Sequence, residues 1–374
     1  MDTTLMESFY NTEAQTSTEN WTWHAQNEST TSRLPLVYQK SDELFSAINF
    51  YGIALVIAVG GVCNVISFVV LVGTRMRETT SGIYLAALSV SDTLVLTAEF
   101  LKWISKPELG IRLIHRSTIL CKIVYHVRYA TKLWSAILVT TVCLERYLLV
   151  SYPLKVNRFA TKKLAKSLIL AEFLICAALG SYGSVFFRLV PIVNITCLIN
   201  FSAAAIYSRI DLIISKVIGQ LFTNVAVAVL TAGIIVRLAR SRRKRDHMTS
   251  GNQTESSSAA ERHLTIMLVV MATSFVVLRS PYTITWYVSH FTSQQMSSSN
   301  KETIMDDALL VTYVIATMNY AVNFFLYCLA GKKFREQLVL LCCCCCCYNN
   351  NKKTTYDERS TNISTVSKDV TSCM

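Results

Sequence analysis

The sequence predicts an all-α membrane protein built around a bundle of seven transmembrane helices. The chain of 374 residues is 52% hydrophobic and only 16% charged, and its apolar residues are gathered in long blocks. A block of about 20 apolar residues crosses a hydrocarbon core roughly 30 Å thick. Because lipid offers the backbone no hydrogen-bond partners, such a block must be a helix. The short alternating segments of a membrane β-barrel do not occur in the sequence.

The blocks divide the chain into four parts. Residues 1–46 are polar and lack an apolar start, so we expect the first span, and not a cleaved signal peptide, to anchor the chain. Residues 47–330 form the membrane domain, 331–341 a short segment after it, and 342–374 a polar tail that we expect to be disordered. The predicted spans, each continuous, are 47–73, 81–104, 118–150, 164–190, 207–238, 262–288 and 305–330.

The basic residues predict the orientation. They lie beside the spans, in the connections after spans one, three and five and after span seven, which are therefore cytoplasmic. The N-terminal segment carries an excess of acids and falls outside, as expected for a multi-pass protein of the plasma membrane. Membrane topology thus explains the net charge of +12, and we predict no nucleic-acid partner. The basic residues concerned are Arg75, Arg77, Arg146, Lys155, Arg158, Lys162, Lys163, Arg237, Arg240, Arg242, Arg243, Lys244, Arg245, Lys332, Lys333 and Arg335.

Glycosylation triplets and cysteines agree with this topology. Four Asn-x-Ser/Thr triplets lie on the predicted outer side, where they are glycosylation acceptors: Asn20, Asn27, Asn194 and Asn200. Cys121 and Cys197 lie at outer edges of spans, where disulfides persist. The run Cys342–Cys347 is the densest group of thiols, but it has neither a histidine nor a scaffold around it, so we predict no metal site.

Polar residues inside the spans are candidates for function, because a charge in lipid costs several kcal/mol unless it is paired or hydrated. Asp92 in span two is the clearest case, and we expect Asn64, Ser135, Asn319 and Asn323 around it. A carboxylate with hydroxyl and amide neighbours suits a small hard cation. The alternative is a set of hydrogen bonds that only hold the helices together, which is common in membrane bundles.

An ordered set of landmarks runs along the spans: Asn64, Asp92, Cys121, Glu145-Arg146-Tyr147, Tyr152-Pro153-Leu154, Phe275 with Pro281, and Asn323 with Tyr327. With these residues the chain resembles the rhodopsin-like (class A) G-protein-coupled receptors over roughly residues 45–345. The stretch ThrArgMetArg after span one resembles, more narrowly, invertebrate neuropeptide receptors of the FMRFamide type. The resemblance implies a seven-transmembrane bundle with an extracellular N-terminus and a short amphipathic eighth helix over 331–341.

The resemblance assigns a cytoplasmic switch for a heterotrimeric G protein. Glu145, Arg146 and Tyr147 would form it together with Tyr327. In the resting state Arg146 would pair with Glu145 and with Glu261 at the foot of span six, because arginine is always charged and forks onto carboxylates. Activation would swing span six outward. The alternative for Glu145 and Arg146 is a charge pair at the membrane interface.

Further implied features concern the two faces of the membrane. A disulfide between Cys121 and Cys197 would tie the top of span three to the loop before span five. On the inner side, membrane-proximal cysteines are palmitoylation candidates that would pin the tail to the lipid bilayer; they are Cys342, Cys343, Cys344, Cys345, Cys346 and Cys347. The alternative is an unmodified low-complexity run. The Ser/Thr-rich tail would recruit arrestin after phosphorylation.

The chain departs from the family pattern at four places. Phe324 replaces the proline expected after Asn323, span four has Phe173 for a tryptophan, and span five has Thr223 or Asn224 in place of a proline. The fourth is Arg279, where a tryptophan is usual. One hypothesis makes Arg279 an internal cation that partly replaces sodium beside Asp92; the other points it into the ligand pocket. We predict no cofactor; an allosteric sodium ion beside Asp92 is the one candidate, and Arg279 counts against it.

Charged and aromatic residues are expected to line the outer half of the bundle, and this lining suits a peptide ligand. By family position they are Glu99, Tyr125, Arg128, Tyr129, Lys132, Lys216, Tyr282, Trp286 and Tyr313. The surplus of basic residues favours a carboxylate on the ligand. The alternative makes Glu99 a structural ion pair with Lys102 or Lys132.

Two other functions compete with a peptide receptor. The first is a receptor for a small anionic ligand or chemosensory cue. The second, from a different class, is a transporter or channel with Asp92, Glu99 and Arg128 lining a conduit; continuous spans without an internal repeat count against it. Since GxSxG, HExxH and P-loop sequences are absent, we predict no enzymatic activity.

Overall fold

A computed structural model describes residues 36–106, 109–152, 161–191, 195–246, 255–292 and 299–341. Spans one to four are the helices Leu36–Gly73, Thr80–Ile104, Thr118–Ser151 and Lys162–Gly180. Span five joins the α-helix Ala204–Asp211, the π-helix Leu212–Phe222 and the α-helix Thr223–Asp246. Span six is Glu255–Thr292, and span seven consists of Ser299–Met318 and Asn323–Ala330. A further helix covers 332–341.

The predicted all-α bundle of seven spans is confirmed. Within the described ranges, six helical stretches are long and apolar enough to cross a membrane, and the two pieces of span seven, bent by 49°, make up one more. The expectation that every span is continuous is wrong for span seven, which breaks between Met318 and Asn323. Neighbouring side chains satisfy the freed backbone there, since the Asn64 Nδ2 donates to the carbonyl of Tyr320 at 2.8 Å.

Side-chain caps fix where several spans begin. Thr79 precedes span two, and its hydroxyl accepts a hydrogen bond from the amide of Gly82. Ser117 caps span three and Thr161 caps span four in the same way. A short hydroxyl side chain at this position satisfies one of the backbone N–H groups that the first helical turn leaves unpaired. The capping residues in the sequence therefore mark where these spans begin.

The predicted end of span four at residue 190 is wrong. The strand β1, Phe187–Pro191, begins there and pairs antiparallel with β2, Ile195–Ile199. A short apolar run bounded by turns fits a buried strand as well as a helix, so hydropathy alone did not separate them. We call the end of the bundle that carries β1 and β2 the hairpin end, and the opposite end, where Arg146 lies, the Arg146 end.

The hairpin is tied to span three and to the loop before it. The predicted disulfide between Cys121 and Cys197 is present and joins residues 76 positions apart. His115 Nδ1 accepts the backbone N–H of Cys197 at 2.9 Å. The ring of Phe187 stacks on that of Tyr125, with 3.6 Å between centroids. These contacts hold the hairpin across the top of span three.

Span three is the central element, because it contacts spans two, four, five and six. Close helix contacts depend on small residues: a Cβ at Gly180 would lie 2.6 Å from the backbone Cα of Ala130, and one at Gly60 would lie 2.7 Å from the Cβ of Ala321. Large apolar side chains such as Leu55, which is 63% exposed, cover the outer surface of the bundle. An apolar exterior of this kind is typical of a protein that lies in lipid.

The helix 332–341 packs against the end of span seven at the Arg146 end. Phe334 is fully buried and contacts the rings of Tyr327 and Phe324 edge to face. Arg335 donates from Nη1 to the carbonyls of Cys328 and Leu329, which caps the C-terminus of span seven. Phe324, which stands where the family has proline, thus contributes an aromatic contact to this corner. That the helix lies along the membrane remains a prediction.

Candidate functional site

A cavity opens among spans three, five, six and seven in the half of the bundle nearer the hairpin end. Six of the nine predicted pocket residues line it: Arg128, Tyr129, Lys132, Lys216, Tyr282 and Tyr313. Glu99 lies behind them, Tyr125 is covered by Phe187, and Trp286 packs above Lys216. The lining also includes residues that the sequence did not single out: Leu133, Asp211, Ile214, Ser215, Gly219, Gln220, Thr283, Ala316, Thr317 and Tyr320.

A buried charge cluster forms one wall of the cavity. Oε1 of Glu99 lies 2.9 Å from Arg128 Nε and 2.7 Å from Lys132 Nζ, and Oε2 accepts the hydroxyl of Tyr313 at 2.7 Å. Lys132 Nζ also donates to the Tyr313 hydroxyl at 3.1 Å. Spans two, three and seven are thereby joined around one carboxylate. Two cations therefore share that carboxylate.

The structure shows which basic residues pair with Glu99, for which the sequence had offered Lys102 or Lys132. Lys132 is a partner, as that alternative proposed, and Arg128 is the other close partner. Lys102 is within electrostatic range of Glu99, while its Nζ lies 5.7 Å from the ring centroid of Tyr125. The sequence placed Arg128 in the pocket but did not foresee its bond to Glu99. Their separation of 29 positions on two different spans carries no local signal of contact.

Lys216 is held inside the cavity by aromatic rings and one distant carboxylate. Its Nζ lies 4.7 Å from the ring centroid of Trp286, 5.6 Å from that of Tyr282, and 4.0 Å from Asp211 Oδ2. The side chain is buried, and its charge forms an ion pair at the limit of contact distance with Asp211. Aromatic faces stabilise such a cation by about 2 kcal/mol when it is desolvated. Lys216 is therefore a well-positioned cation for an anionic group entering the cavity.

The polar core below the cavity brings together most of the residues predicted around Asp92. The Ser135 hydroxyl donates to Asp92 Oδ1 and Asn323 Nδ2 donates to Oδ2, both at 2.7 Å. Asn64 bonds the carbonyl of Tyr320, and Asn319 is buried nearby on span seven. All of these side chains are at least nine-tenths buried. The Asp92 side chain thus links spans two, three and seven.

Arg279 lies between the cavity and the polar core. It lines the cavity, and it also interacts electrostatically with Asp92. Its Nη2 donates to the carbonyl of Gly219 at 3.0 Å, and its Cζ lies 4.7 Å from the ring centroid of Phe275. The guanidinium is thus part of the cavity lining, as one of the two hypotheses expected. Among the described residues, no hydrogen bond or ion pair joins it to Asp92.

The predicted switch residues lie at the Arg146 end. Arg146 is buried in span three, and the ring of Tyr147 lies against Gly233 of span five. Tyr327 is fully buried, and its hydroxyl lies 3.8 Å from the sulfur of Met271 in span six. The Glu261 side chain falls outside the part of the structure that is described, so its pairing with Arg146 stays a prediction. Spans three, five, six and seven thus converge at this end.

Several contacts near the cavity escaped the sequence reasoning. The Tyr182 hydroxyl donates to Asp211 Oδ1 at 2.8 Å, and the hydroxyls of Tyr129 and Tyr207 are 2.5 Å apart. Asn224 Nδ2 donates to Thr283 Oγ1 at 3.1 Å and joins spans five and six. Asp211 was detectable as an acid at the edge of an apolar span. Tyr182 and Tyr207 were not, since an aromatic residue in a span usually only packs.

Most predicted modification sites fall outside the described residues. These are Asn20, Asn27, Asn194 and the cysteines Cys342, Cys343, Cys344, Cys345, Cys346 and Cys347. Asn200 is described, and its Oδ1 accepts the hydroxyl of Ser202 at 3.0 Å within the same triplet. It follows β2 at the hairpin end, beside the start of span five. Its glycosylation stays a prediction.

Comparison with known proteins identifies the family. The family model described as "7 transmembrane receptor (rhodopsin family)" matches residues 63–327. The chain is 26% identical over 298 residues to the C-C chemokine receptor type 1 of Macaca fascicularis, covering 76% of each chain. It is 23% identical over 325 residues to the thyrotropin-releasing hormone receptor of Gallus gallus, covering 78% of this chain and 77% of that receptor.

A third relative matches over a shorter stretch. The gastrin/cholecystokinin type B receptor of Mus musculus is 31% identical over 137 residues, which is 37% of this chain and 29% of that receptor. The narrower resemblance to invertebrate FMRFamide-type receptors is not confirmed by these matches. The family model, however, covers all the landmarks, from Asn64 in span one to Tyr327 in span seven. This chain belongs to the rhodopsin family of seven-transmembrane, G-protein-coupled receptors.

Proposed function

We propose that this receptor binds an extracellular peptide in the cavity at its hairpin end and activates a heterotrimeric G protein at its Arg146 end. The proposal places the N-terminus outside the cell and arrestin binding at the phosphorylated tail. Membership of the receptor family supports this role over that of a transporter or an enzyme. The relatives support a peptide ligand, because their names specify a chemokine, thyrotropin-releasing hormone and gastrin/cholecystokinin.

The charge of the cavity is the observation that carries the proposal. Arg128, Lys132, Lys216 and Arg279 contribute four cations, whereas Asp211 lines the cavity and Glu99 lies just behind its wall. The tyrosines of the lining add aromatic surface. Such a lining favours a ligand that brings a carboxylate together with apolar or aromatic groups. A peptide with an acidic side chain or a free C-terminus has this chemistry.

The mechanism of activation follows from the spans that run from the cavity to the Arg146 end. A ligand that contacts Lys216 and Tyr282 acts on spans five and six together. Span six continues from there past Phe275 and Met271 to the region of Arg146, Tyr147 and Tyr327. A ligand shifts the receptor toward its active form only by binding that form more tightly. We therefore infer that the ligand favours a position of span six in which the Arg146 end opens for the G protein.

A small anionic ligand is the second candidate. The charges of Lys132 and Lys216, which face one cavity, also suit a compact carboxylate without a peptide chain. The two candidates differ in how much surface they use. A peptide is expected to depend on the hairpin end as well, whereas a small carboxylate is expected to depend on the cavity alone.

The test is a G-protein reporter assay in cells that express the receptor with a promiscuous Gα subunit. The probes are a library of matched free-acid and amidated peptides and a panel of small carboxylates. Activation by peptides, abolished by Arg146→Ala at equal surface expression, is the expected result. Activation by the carboxylate panel alone would favour the second candidate. Activity of Arg146→Ala equal to that of the native receptor would contradict the proposed switch.

The modification and topology predictions have separate tests. An N-terminal epitope tag accessible on intact cells is expected for an extracellular N-terminus. Peptide N-glycosidase is expected to increase the electrophoretic mobility of the receptor, and Asn200→Gln to reduce that shift. Acyl exchange on Cys342–Cys347 is expected to detect palmitate, and serine substitution of the run to remove the signal.

A further inference from the structure

Spans five and six are joined by two polar contacts beside the cavity. Arg279 Nη2 of span six donates to the backbone carbonyl of Gly219 in span five at 3.0 Å. Asn224 Nδ2 of span five donates to Thr283 Oγ1 of span six at 3.1 Å. Gly219, Arg279 and Thr283 line the cavity. We call the two contacts together the five–six link; it contains Arg279 and Asn224, two of the residues at which the chain departs from the family pattern.

We propose that the five–six link holds span six in its resting position, and that Arg279 and Asn224 thereby set how strongly the receptor signals without a ligand. This role presupposes the proposed activation of a G protein, but no particular ligand. At the opposite end of the bundle Arg146 is buried, and the sulfur of Met271 in span six lies 3.8 Å from the Tyr327 hydroxyl of span seven. The link is therefore part of an arrangement in which the Arg146 end is closed.

The contact between Asn224 and Thr283 has a defined direction. The Thr283 hydroxyl donates its one proton to the carbonyl of Arg279 in its own helix at 3.0 Å, so toward span five its oxygen can only accept. Asn224 meets that oxygen with its amide nitrogen. The Asn224 and Thr283 side chains are 7% and 6% exposed, so separating the spans leaves a buried amide without its partner, at a cost in free energy.

Arg279 is anchored on span six and reaches across to span five. Its Cζ lies 4.7 Å from the ring centroid of Phe275, one turn earlier in span six. The Gly219 carbonyl accepts the Arg279 guanidinium and also the Thr223 hydroxyl, the latter at 2.8 Å. Span six cannot move away from span five at this level without breaking both bonds of the five–six link. Polar contacts of this kind between spans hold membrane helices together.

The first experiment measures signalling without any ligand, in cells that express the full-length receptor with a promiscuous Gα subunit at equal surface expression. Thr283→Val keeps the shape of the side chain and removes the acceptor of Asn224. It is expected to raise the ligand-independent signal roughly two- to tenfold, the factor by which one buried hydrogen bond shifts an equilibrium.

Thr285→Val is the matched control. The Thr285 hydroxyl donates to the carbonyl of Pro281 within span six, as that of Thr283 does to Arg279, but no bond from it to span five occurs among the described residues. The control is expected to signal like the native receptor. An equal rise in Thr283→Val and Thr285→Val would overturn the proposal, because the bond within the helix would then explain both.

Arg279 is tested by a pair of substitutions in the same assay. Arg279→Met removes the bond to the Gly219 carbonyl and is expected to raise the ligand-independent signal as well. Arg279→Lys keeps a charged donor and is expected to stay closer to the native signal. A signal at or below the native level from either Thr283→Val or Arg279→Met would contradict the proposed restraint.

The second experiment is a double-mutant cycle with Asn224→Leu and Thr283→Val, measured as the melting temperature of the purified receptor. Each single variant leaves one buried partner unpaired, whereas the double variant replaces both by apolar side chains of similar shape. The double variant is therefore expected to lose less stability than the sum of the single losses. Additive losses would show that the two side chains do not form the bond. If Asn224→Leu alone yields no folded receptor, recovery of folded protein on adding Thr283→Val is expected, and no recovery counts against the bond.

The two readouts separate the five–six link from the ligand of the receptor. Non-additive stability losses with unchanged ligand-independent signalling would show a contact that does not restrain activation, and would overturn the proposal. The peptide library tests the proposed ligand separately. A failure there leaves both results on the five–six link unchanged, because neither experiment uses a ligand.

Discussion

Arg128 and Lys132 share one oxygen atom, Oε1 of Glu99, at 2.9 and 2.7 Å. The two cations lie four positions apart on span three, so they face the same side of the helix and meet span two together. Without Glu99 they would repel each other in a buried place. The wall of the cavity therefore depends on the Glu99 carboxylate of the neighbouring span.

Glu99→Gln is expected to destabilise the receptor by roughly 3–5 kcal/mol, because it leaves two adjacent cations without their acid. The measurement is thermal unfolding of the purified receptor. Arg128→Gln is expected to cost more than Lys132→Gln, since the Lys132 side chain is 22% exposed and that of Arg128 only 7%. A Glu99→Gln/Arg128→Gln double variant less stable than either single variant would argue against the shared pairing.

Gly180→Ala is expected to destabilise the packing of span four on span three by about 1–3 kcal/mol. The added Cβ would lie 2.6 Å from the backbone Cα and N of Ala130, and a backbone cannot move aside as a side chain does. The matched control is Gly61→Ala, because a Cβ there meets nothing within 4 Å. That control is expected to be neutral or to gain up to about 1 kcal/mol from helix propensity. Equal melting temperatures for the two variants would contradict the close contact.

His115 is expected to make the hairpin end sensitive to acid. Burial, followed by the charge of Arg112, lowers the pKa of His115 below its ordinary value of 6.5, and the neutral Nδ1 accepts the N–H of Cys197. The unfolded chain therefore binds a proton at His115 more readily than the folded chain does. The contribution of His115 to the free energy of unfolding is fully present above pH 6.5 and is lost progressively as the pH falls below that value. The measurement is the melting temperature as a function of pH.

His115→Asn is the matched variant for that experiment, because asparagine keeps an acceptor but does not titrate. We expect it to flatten the decline of melting temperature between pH 6.5 and the lower pKa of the folded receptor. The other histidines are unchanged in both proteins, so the difference between the two profiles reports on His115. Identical profiles would show that this histidine contributes nothing to the pH dependence.

Gly233→Ala is expected to weaken G-protein activation at unchanged surface expression. A Cβ there would lie 2.8 Å from Cε2 of Tyr147, so the ring must shift out of its contact with span five. Tyr147→Leu, which shortens the side chain, is expected to make the receptor insensitive to Gly233→Ala. Gly73→Ala, where a Cβ meets nothing within 4 Å, is the control. Activation of Gly233→Ala equal to that of the control would exclude a role for this contact.

The parts of the fold that the sequence predicted correctly are those that lipid constrains. Apolar blocks must be helices, and a charge such as Asp92 must find polar partners inside the bundle. The disulfide between Cys121 and Cys197 was expected from the resemblance to the receptor family. These constraints determine which residue types occur at a position and on which side of the membrane a segment lies. Both properties can be read from the sequence, which is why Ser135 and Asn323 were expected at Asp92 before the structure placed them there.

The misplaced features depend on contacts that residue type does not reveal. The strand Phe187–Pro191 is as apolar as a helix end, and only its pairing with β2 distinguishes it. The break in span seven depends on side chains such as Asn64, which lies on another span. The bond between Arg128 and Glu99 depends on how spans two and three are rotated against each other. Hydropathy contains no information about that rotation.

The π-helical stretch Leu212–Phe222 gives span five a segment whose helical winding can change. Its hydrogen bonds run from each residue to the fifth along, so each residue advances the winding less than in an α-helix. Rewinding this stretch to α geometry would turn the outer part of the span about its own axis. The same rotation would break two contacts together: the cation–π contact of Lys216 with Trp286, and the hydrogen bond from Arg279 to the Gly219 carbonyl.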